Sequence, residues 1–200
     1  LQTDYVDLYF SHWPDEDSTQ EETLGAYDML VRSGKVRVIG ASNYTAEMVK
    51  EAQELSVIKS LPRYEVLQPR YNLSDRAEFE ALLPTVEENE IGTVVYYSLA
   101  SGFLTGKYRS KDDFGKSPRG SGAEKYLDAK GQRILKALDD VAAAKDATPA
   151  EVSLAWLVAK PGVSAPIASA TSVEQVQSLA KGVRLKLSDE EVAALDAAGR

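Results

Sequence analysis

His12 is the single histidine of the chain and follows directly on a run of strand-forming residues in the stretch DYVDLYFSHWPD. A neutral imidazole at such a place can donate a hydrogen bond to a carbonyl oxygen on which negative charge develops, or serve as a plain polar residue where a strand gives way to a loop. Four other strand-forming runs are followed by side chains that hydrogen-bond: Ser42 and Asn43, then Gln68, then Tyr97 and Ser98, and finally Ser169 and Thr171. Strand ends turn polar in any protein, so none of these is a site by itself. Five in succession are harder to dismiss.

The elements that must position them read as an alternation. Residues 6–10, 35–41, 65–68, 93–97 and 165–168 are short apolar runs of strand length. Between them, apolar residues recur at helical spacing: Leu24, Tyr27 and Val31, then Val49, Ala52 and Leu55, then Phe79, Leu82, Leu83 and Val86. Capping boxes are expected at Ser18 to Glu21, Thr148 to Glu151, Ser172 to Gln175 and Ser188 to Glu191, and a helix start near Asp75. Gly34 supplies a left-handed stop after the first helix, and a further helix is expected over residues 132–145. Strands alternating with helices at intervals of roughly 30 residues predict right-handed βαβ units and a parallel sheet, either doubly wound or part of a barrel. A closed barrel needs eight strands and about 250 residues, so five strands leave three units to find. In both architectures functional groups gather at the carboxyl ends of the strands.

Composition narrows the function classes. A chain of 200 residues, 44% hydrophobic and 27% charged, holds one sizeable core and reads as a single domain. Its 31 acidic and 23 basic residues give a net charge of -8, which argues against nucleic acid and anionic membrane as partners. With no cysteine there is no disulfide, thiolate metal site or cysteine nucleophile, and a reducing, cytoplasmic location is expected. The acidic run at residues 16–22 reads as a solvated loop and first helical turn. Asp15, Asp17 and Glu21 have no imidazole companions, so no metal site is expected there.

Five segments in order, DYVDLYFSHWPD, GKVRVIGASNYT, VLQPRYNL, VVYYSLASGFLTGKY and APIASATSVEQV, closely resemble the aldo-keto reductases, and the resemblance covers essentially the whole chain. It implies a (β/α)8 TIM barrel of which this chain supplies about five βα units, from the fourth strand onward. It also implies an NAD(P)H-dependent enzyme that reduces aldehydes or ketones to alcohols by direct hydride transfer, acting on a small-molecule carbonyl substrate. On this resemblance His12 is the active-site histidine that orients the substrate carbonyl. Ser42, Asn43 and Gln68 hydrogen-bond the nicotinamide carboxamide, and Tyr97 stacks on the nicotinamide ring. Ser98, Leu99, Gly102, Leu104 and Lys107 wrap the pyrophosphate and ribose, while Ser169, Thr171, Ser172 and Gln175 hold the adenosine end. The residue types suit those tasks: SGFLTGK brings two glycines, two hydroxyls and Lys107 within seven residues, the permissive backbone and cation that phosphates need. A helix start at Ser172 adds a positive dipole end.

Two departures from the family pattern bear on this expectation. The resemblance places three of four catalytic residues, a tyrosine, an aspartate and a lysine, on strands that would precede Leu1. The chain opens without an initiator methionine and enters a strand within a few residues, so it reads as a portion of a longer reductase, the alternatives being an inactive truncated reductase or a non-catalytic NADP(H)-binding or regulatory module. Tyr5, Tyr9 and Tyr71 are not assigned the acid role. At the adenosine end many relatives carry glycine where Ser169 stands, a basic residue near Thr171 or Ser172, and asparagine where Leu179 stands. No lysine or arginine lies between Pro161 and Gln175, so the grip on a 2'-phosphate is not visible. NADPH is the expected cofactor and NADH stays open. The long polar connection at residues 107–126, with Lys111, Lys116 and Arg119, is read either as a solvated loop or as a cover over the cofactor.

Overall fold

The computed structural model describes residues 2–116 and 120–200, so Arg119 of the long connection lies outside the described residues. The fold is α/β, with five strands in the order β1-β2-β3-β4-β5 and seven α-helices among the described residues. The chain divides into two compact units, Leu1–Pro69 with Ala77–Val94, and Arg70–Arg76 with Val95–Arg200.

The first unit carries β1 (Val6–Ser11), α1 (Gln20–Arg32), β2 (Val36–Ser42), α2 (Ala46–Lys59), β3 (Tyr64–Gln68), α3 (Ala77–Glu88) and β4 (Gly92–Val95). The pairings β1 to β2, β2 to β3 and β3 to β4 are parallel, as the alternation with helices requires. Register runs from Val6 opposite Val36 to Ser11 opposite Ala41, so β1 and β2 end side by side. Ser42 then stands opposite Gln68, after a register shift between Ile39 and Gly40. Leu24 of α1, Val49 and Ala52 of α2, and Leu82 and Val86 of α3 pack with Val36, Ile39, Ala41, Tyr64 and Leu67 of the strands into one core. These are the apolar faces that helical and strand spacing mark out in the sequence.

The second unit holds α4 (Ala129–Lys145), α5 (Pro149–Ala159), β5 (Ala165–Pro166), α6 (Val173–Gly182) and α7 (Asp189–Ala198), with 3-10 helices at Ala100–Thr105, Lys111–Lys116 and Gly120–Tyr126. Val152, Leu154, Ala155, Trp156 and Leu157 bury α5 on all sides. Asp196 anchors α7 by accepting Trp156 Nε1–H at 3.0 Å and pairing with Lys160 at 2.9 Å and Arg76 at 3.0 Å.

Several sequence expectations shift on inspection. The first capping box is Thr19 with Glu22, because the Ser18 hydroxyl donates to Asp15 at 2.8 Å. The boxes at Thr148 and Ser188 form as expected. Ser172 caps α6, while Gln175 Oε1 accepts from the Thr171 amide at 2.8 Å, so the reciprocal half of that box falls one residue early. The strand expected over residues 93–97 ends at Val95, since Tyr97 has a φ of 64° that no strand tolerates. The strand at residues 165–168 shortens to Ala165–Pro166, where proline has no N–H to donate, although Ile167 still donates to the Val95 carbonyl at 2.8 Å. The helix expected at 132–145 begins three residues earlier, capped by Asp128. Among the described residues of 107–126, Tyr108, Ala123 and Tyr126 are buried, so these parts of the connection are less solvated than their polarity suggests. No helix among the described residues is long and apolar enough to cross a membrane.

The β1 to β3 layer leaves no room at Gly40. A Cβ there would lie 2.5 Å from the Phe10 ring and 2.7 Å from the Val66 carbonyl oxygen, and the backbone oxygen cannot move aside without disturbing β3. Gly40→Ala is expected to destabilise the fold by about 1–3 kcal/mol, read as a lower urea midpoint with an unchanged slope.

Candidate active site

In the first unit the ends of β1, β2 and β3 bring His12, Ser42, Asn43 and Gln68 to adjacent positions. Asn43 leaves β2 with a φ of 62°, the left-handed region that asparagine tolerates better than most residues. Its side-chain amide donates to the His12 carbonyl at 2.8 Å and to the Ser42 hydroxyl at 3.2 Å. The Ser42 hydroxyl, itself buried, donates to the Gln68 carbonyl at 2.8 Å. Behind the turn, the Ser11 hydroxyl donates to the Trp13 carbonyl at 3.2 Å and meets the Tyr44 hydroxyl at 3.0 Å. The backbone of the His12–Trp13 turn is therefore held from two sides while the imidazole stays exposed, 5.8 Å from the Trp13 ring. Tyr44 in turn touches the buried Tyr64, whose phenol is pushed up by burial and by its neighbour. Tyr71, set aside as an acid, is buried against Trp156, whereas Tyr5 and Tyr9 are partly exposed.

In the second unit the chain after β4 follows an unusual path. Tyr97, Ala100, Ser101, Gly102 and Gly106 have φ values of 64°, 48°, 57°, 86° and 78°. These left-handed residues fold the chain back on itself, and the Ala100 and Gly106 amides donate to the Tyr97 and Phe103 carbonyls at 2.8 and 3.0 Å. A Cβ on Gly102 would lie 3.1 Å from Lys107 Cε and 3.3 Å from Nζ, so the lysine side chain closes over the glycine. Leu104 is wholly buried and its carbonyl takes the Ser153 hydroxyl at 3.4 Å, so its side chain serves the core. Leu99 accepts the Gly102 amide at 2.8 Å. The buried Ser98 hydroxyl donates to the Ile167 carbonyl at 2.8 Å and lies 3.1 Å from that of Val95, joining the ends of β4 and β5. Ser169, Thr171, Ser172 and Gln175 lie exposed beyond β5 at the start of α6.

Four residues that sequence reasoning missed form a network that reaches Tyr97 through Arg70 and Asn72. Asp75 Oδ2 accepts from Arg70 Nη2 at 2.8 Å, Asn72 Nδ2 at 3.0 Å and the Tyr126 hydroxyl at 2.6 Å. Asn72 also donates to the Tyr97 carbonyl at 3.1 Å, and its Oδ1 accepts the Ser74 and Asp75 amides at 2.8 and 2.9 Å. The last pair makes an Asx turn, and YNLSD was the signal that could have revealed it. Burial pushes the Asp75 carboxyl up, but the Tyr126 and Asn72 hydrogen bonds and the Arg70 charge outweigh it and hold the group below its usual range. Burial and the neighbouring carboxylate push the Tyr126 phenol up.

Comparison with known proteins gives these groups a family. Residues 1–200 match the Aldo/keto reductase family. The chain is 30% identical over 195 residues to the aldo-keto reductase YhdN of Bacillus subtilis, covering 96% of this chain and 57% of that protein. It is 32% identical over 202 residues to the L-glyceraldehyde 3-phosphate reductase of Escherichia coli O157:H7, covering 96% and 58%. A crystal structure of the thermostable aldo-keto reductase Tm1743 with the inhibitor epalrestat superposes with a TM-score of 0.76 at 33% identity, covering 98% of this chain and 61% of that one. Parallel βα units with polar strand ends define a class of α/β proteins, and within it this chain belongs to the aldo/keto reductase family. It spans less than two thirds of the length of these relatives.

Because the folded Asp75 has a depressed pKa, its contribution is complete above its ordinary value of 3.8 and is lost as pH falls through the folded value. Asp75→Asn is expected to cost roughly 1–3 kcal/mol at pH 7 by leaving Arg70 and Tyr126 short of their acceptor. Urea titrations of both proteins should show this gap closing below pH 3.8. A gap that stays constant down to pH 2 would show that folding does not lower the Asp75 pKa.

Proposed function

We propose that the chain is the carboxyl-terminal part, from the fourth strand onward, of a single-domain (β/α)8 barrel enzyme that reduces aldehydes or ketones to alcohols with NADPH or NADH. The observation that carries the reading is the left-handed path from Tyr97 to Gly106 with Lys107 folded over Gly102. It sets a cation beside a glycine whose missing Cβ lets a dinucleotide's phosphate approach the backbone closely. Family membership and the printed name of a Schizosaccharomyces pombe relative, "Aldo-keto reductase yakc [NADP(+)]", 29% identical over 195 residues, point the same way. The cysteine-free sequence supports a reducing, cytoplasmic setting.

A bound reduced nicotinamide supplies the hydride that such a reaction needs. In this reading Ser42, Asn43 and Gln68 fix the carboxamide, and the Tyr97 ring provides the stacking face. Ser98, Leu99, Gly102, Leu104 and Lys107 enclose the phosphates and ribose, Leu99 and Leu104 through backbone and shape. Ser169, Thr171, Ser172 and Gln175 take the adenosine end. His12 donates a hydrogen bond to the carbonyl oxygen as negative charge gathers there, which lowers the barrier without a change in the residue itself. Rigid strand ends matter because a reacting carbon must be held close to its partner with little freedom.

The test is a fluorescence titration of the intact protein with NADPH and with NADH, followed by an oxidation assay with a panel of aldehydes. Binding and turnover are expected. Binding without turnover would point instead to a nucleotide-sensing module, and binding of neither dinucleotide would sink the proposal. In the active protein, His12→Ala is expected to lower kcat by about 10²–10³-fold and leave the cofactor Kd unchanged, because its hydrogen bond strengthens only as charge develops.

A further inference from the structure

One face of the Tyr97 ring is occupied by a cation. The Arg70 guanidinium carbon lies 5.0 Å from the ring centroid, within the range of a cation–π contact. The guanidinium is held there by two donations to Asp75 Oδ2, at 3.2 and 2.8 Å, and by one to the Tyr126 hydroxyl at 3.1 Å. A second cation, Lys125 Nζ, stands 5.9 Å from the same centroid. The ring itself cannot swing away, because its hydroxyl meets Ser101 Oγ at 2.6 Å and its backbone carbonyl is taken by Asn72. Tyr97 nevertheless keeps 39% of its surface exposed, so a flat ligand can still reach it.

We propose that Arg70 makes the Tyr97 platform distinguish the two redox forms of the nicotinamide, favouring the neutral reduced ring over the cationic oxidised one. The inference rests on the reading that Tyr97 stacks against nicotinamide. The two forms have nearly the same shape and differ by one positive charge on the stacked ring. An aromatic face attracts a cation through its quadrupole, so a bare tyrosine would favour the oxidised form. With a guanidinium already drawing on the opposite face, that attraction is partly spent and a direct repulsion is added across the ring. The repulsion acts on the oxidised form alone. Asp75 offsets part of the Arg70 charge, but its Oδ2 is shared with Asn72 and Tyr126 and Lys125 stands nearby, so the cancellation is incomplete. Lys125 adds to the same field. The consequence is release of the oxidised cofactor ahead of the reduced one, which suits a site that must exchange spent cofactor after each turnover.

The readout is the ratio of two dissociation constants, Kd of the oxidised over Kd of the reduced dinucleotide, measured by calorimetry on the intact protein without substrate. Arg70→Met is expected to lower that ratio by about three- to tenfold, and Arg70→Lys to restore most of it. If Arg70 only props the ring, both constants rise together and the ratio stays where it was, which overturns the inference. Lys125 is exposed, so Lys125→Gln provides a test that does not depend on Arg70 variants folding. It is expected to lower the ratio in the same direction by about twofold, and no change in either variant overturns the proposal. Failure of the wild-type protein to bind either form is a different result: it overturns the assignment of Tyr97, and the function with it.

Discussion

At Tyr97 the chain leaves the sheet with a φ of 64°, and everything proposed for the second unit depends on that turn being held. A bulky aromatic in the left-handed region is costly, on the order of 1–3 kcal/mol, and persists only where its surroundings over-determine it. Here they do so through the carbonyls on either side. The Val95 carbonyl accepts the Ile167 amide, and that of Tyr96 accepts the Tyr71 amide. The Tyr97 carbonyl accepts both the Ala100 amide and the Asn72 side chain. Each acceptor is satisfied by a different part of the unit, so relaxing the turn would strand several buried polar groups at once. The aromatic ring is thereby fixed in place by backbone chemistry and remains half exposed.

The same device recurs in the first unit at smaller scale. Asn43 also steps into the left-handed region just past a strand, and its side chain ties β2 to the end of β1 through the His12 carbonyl. Ser42 ties β2 to β3 through the Gln68 carbonyl, and in the second unit Ser98 ties β4 to β5 through that of Ile167. Three residues whose types suggest ligand contacts thus also lace neighbouring strand ends together. A hydroxyl oxygen that donates its proton to such a carbonyl keeps its lone pairs, so lacing and accepting from a ligand are compatible. On the proposed function, substitution at these positions would therefore remove a structural tie and a ligand contact together. Binding constants alone cannot separate the two, and only a paired stability measurement can.

The sequence carried the helices and their order well, because capping and periodicity are local. Thr148 with Glu151 and Ser188 with Glu191 form the boxes their spacing announces. The box read at Ser18 with Glu21 forms instead at Thr19 with Glu22, because Asp15, a residue outside the pattern, takes the Ser18 hydroxyl. Tyr96 and Tyr97 read as strand because aromatics favour strands, yet tertiary contacts override that preference at Tyr97. Arg70, Asp75 and Tyr126 could not be joined by reading one sequence, since Tyr126 lies some fifty residues from the others and no periodicity links them. Their grouping is a property of the folded unit.

Charge gives these arrangements a common logic. The chain as a whole carries a net charge of -8, so the dinucleotide of the proposed function would approach with its anionic phosphates against the mean field. Around the Tyr97 turn the sign reverses locally: Lys107 closes over Gly102, Arg70 stands over the ring and Lys125 beside it. On the proposed function, cations so placed would attract the phosphate end of a dinucleotide in either redox state. They disfavour only the positive charge that the oxidised ring carries. One cluster of charges can therefore strengthen binding in general and still bias which form is kept, because the two ends of the ligand carry opposite signs at different distances from it. Screening limits the first effect more than the second, since phosphates meet exposed lysines in water whereas a stacked ring shares a partly dry face with a guanidinium fixed by Asp75 and Tyr126.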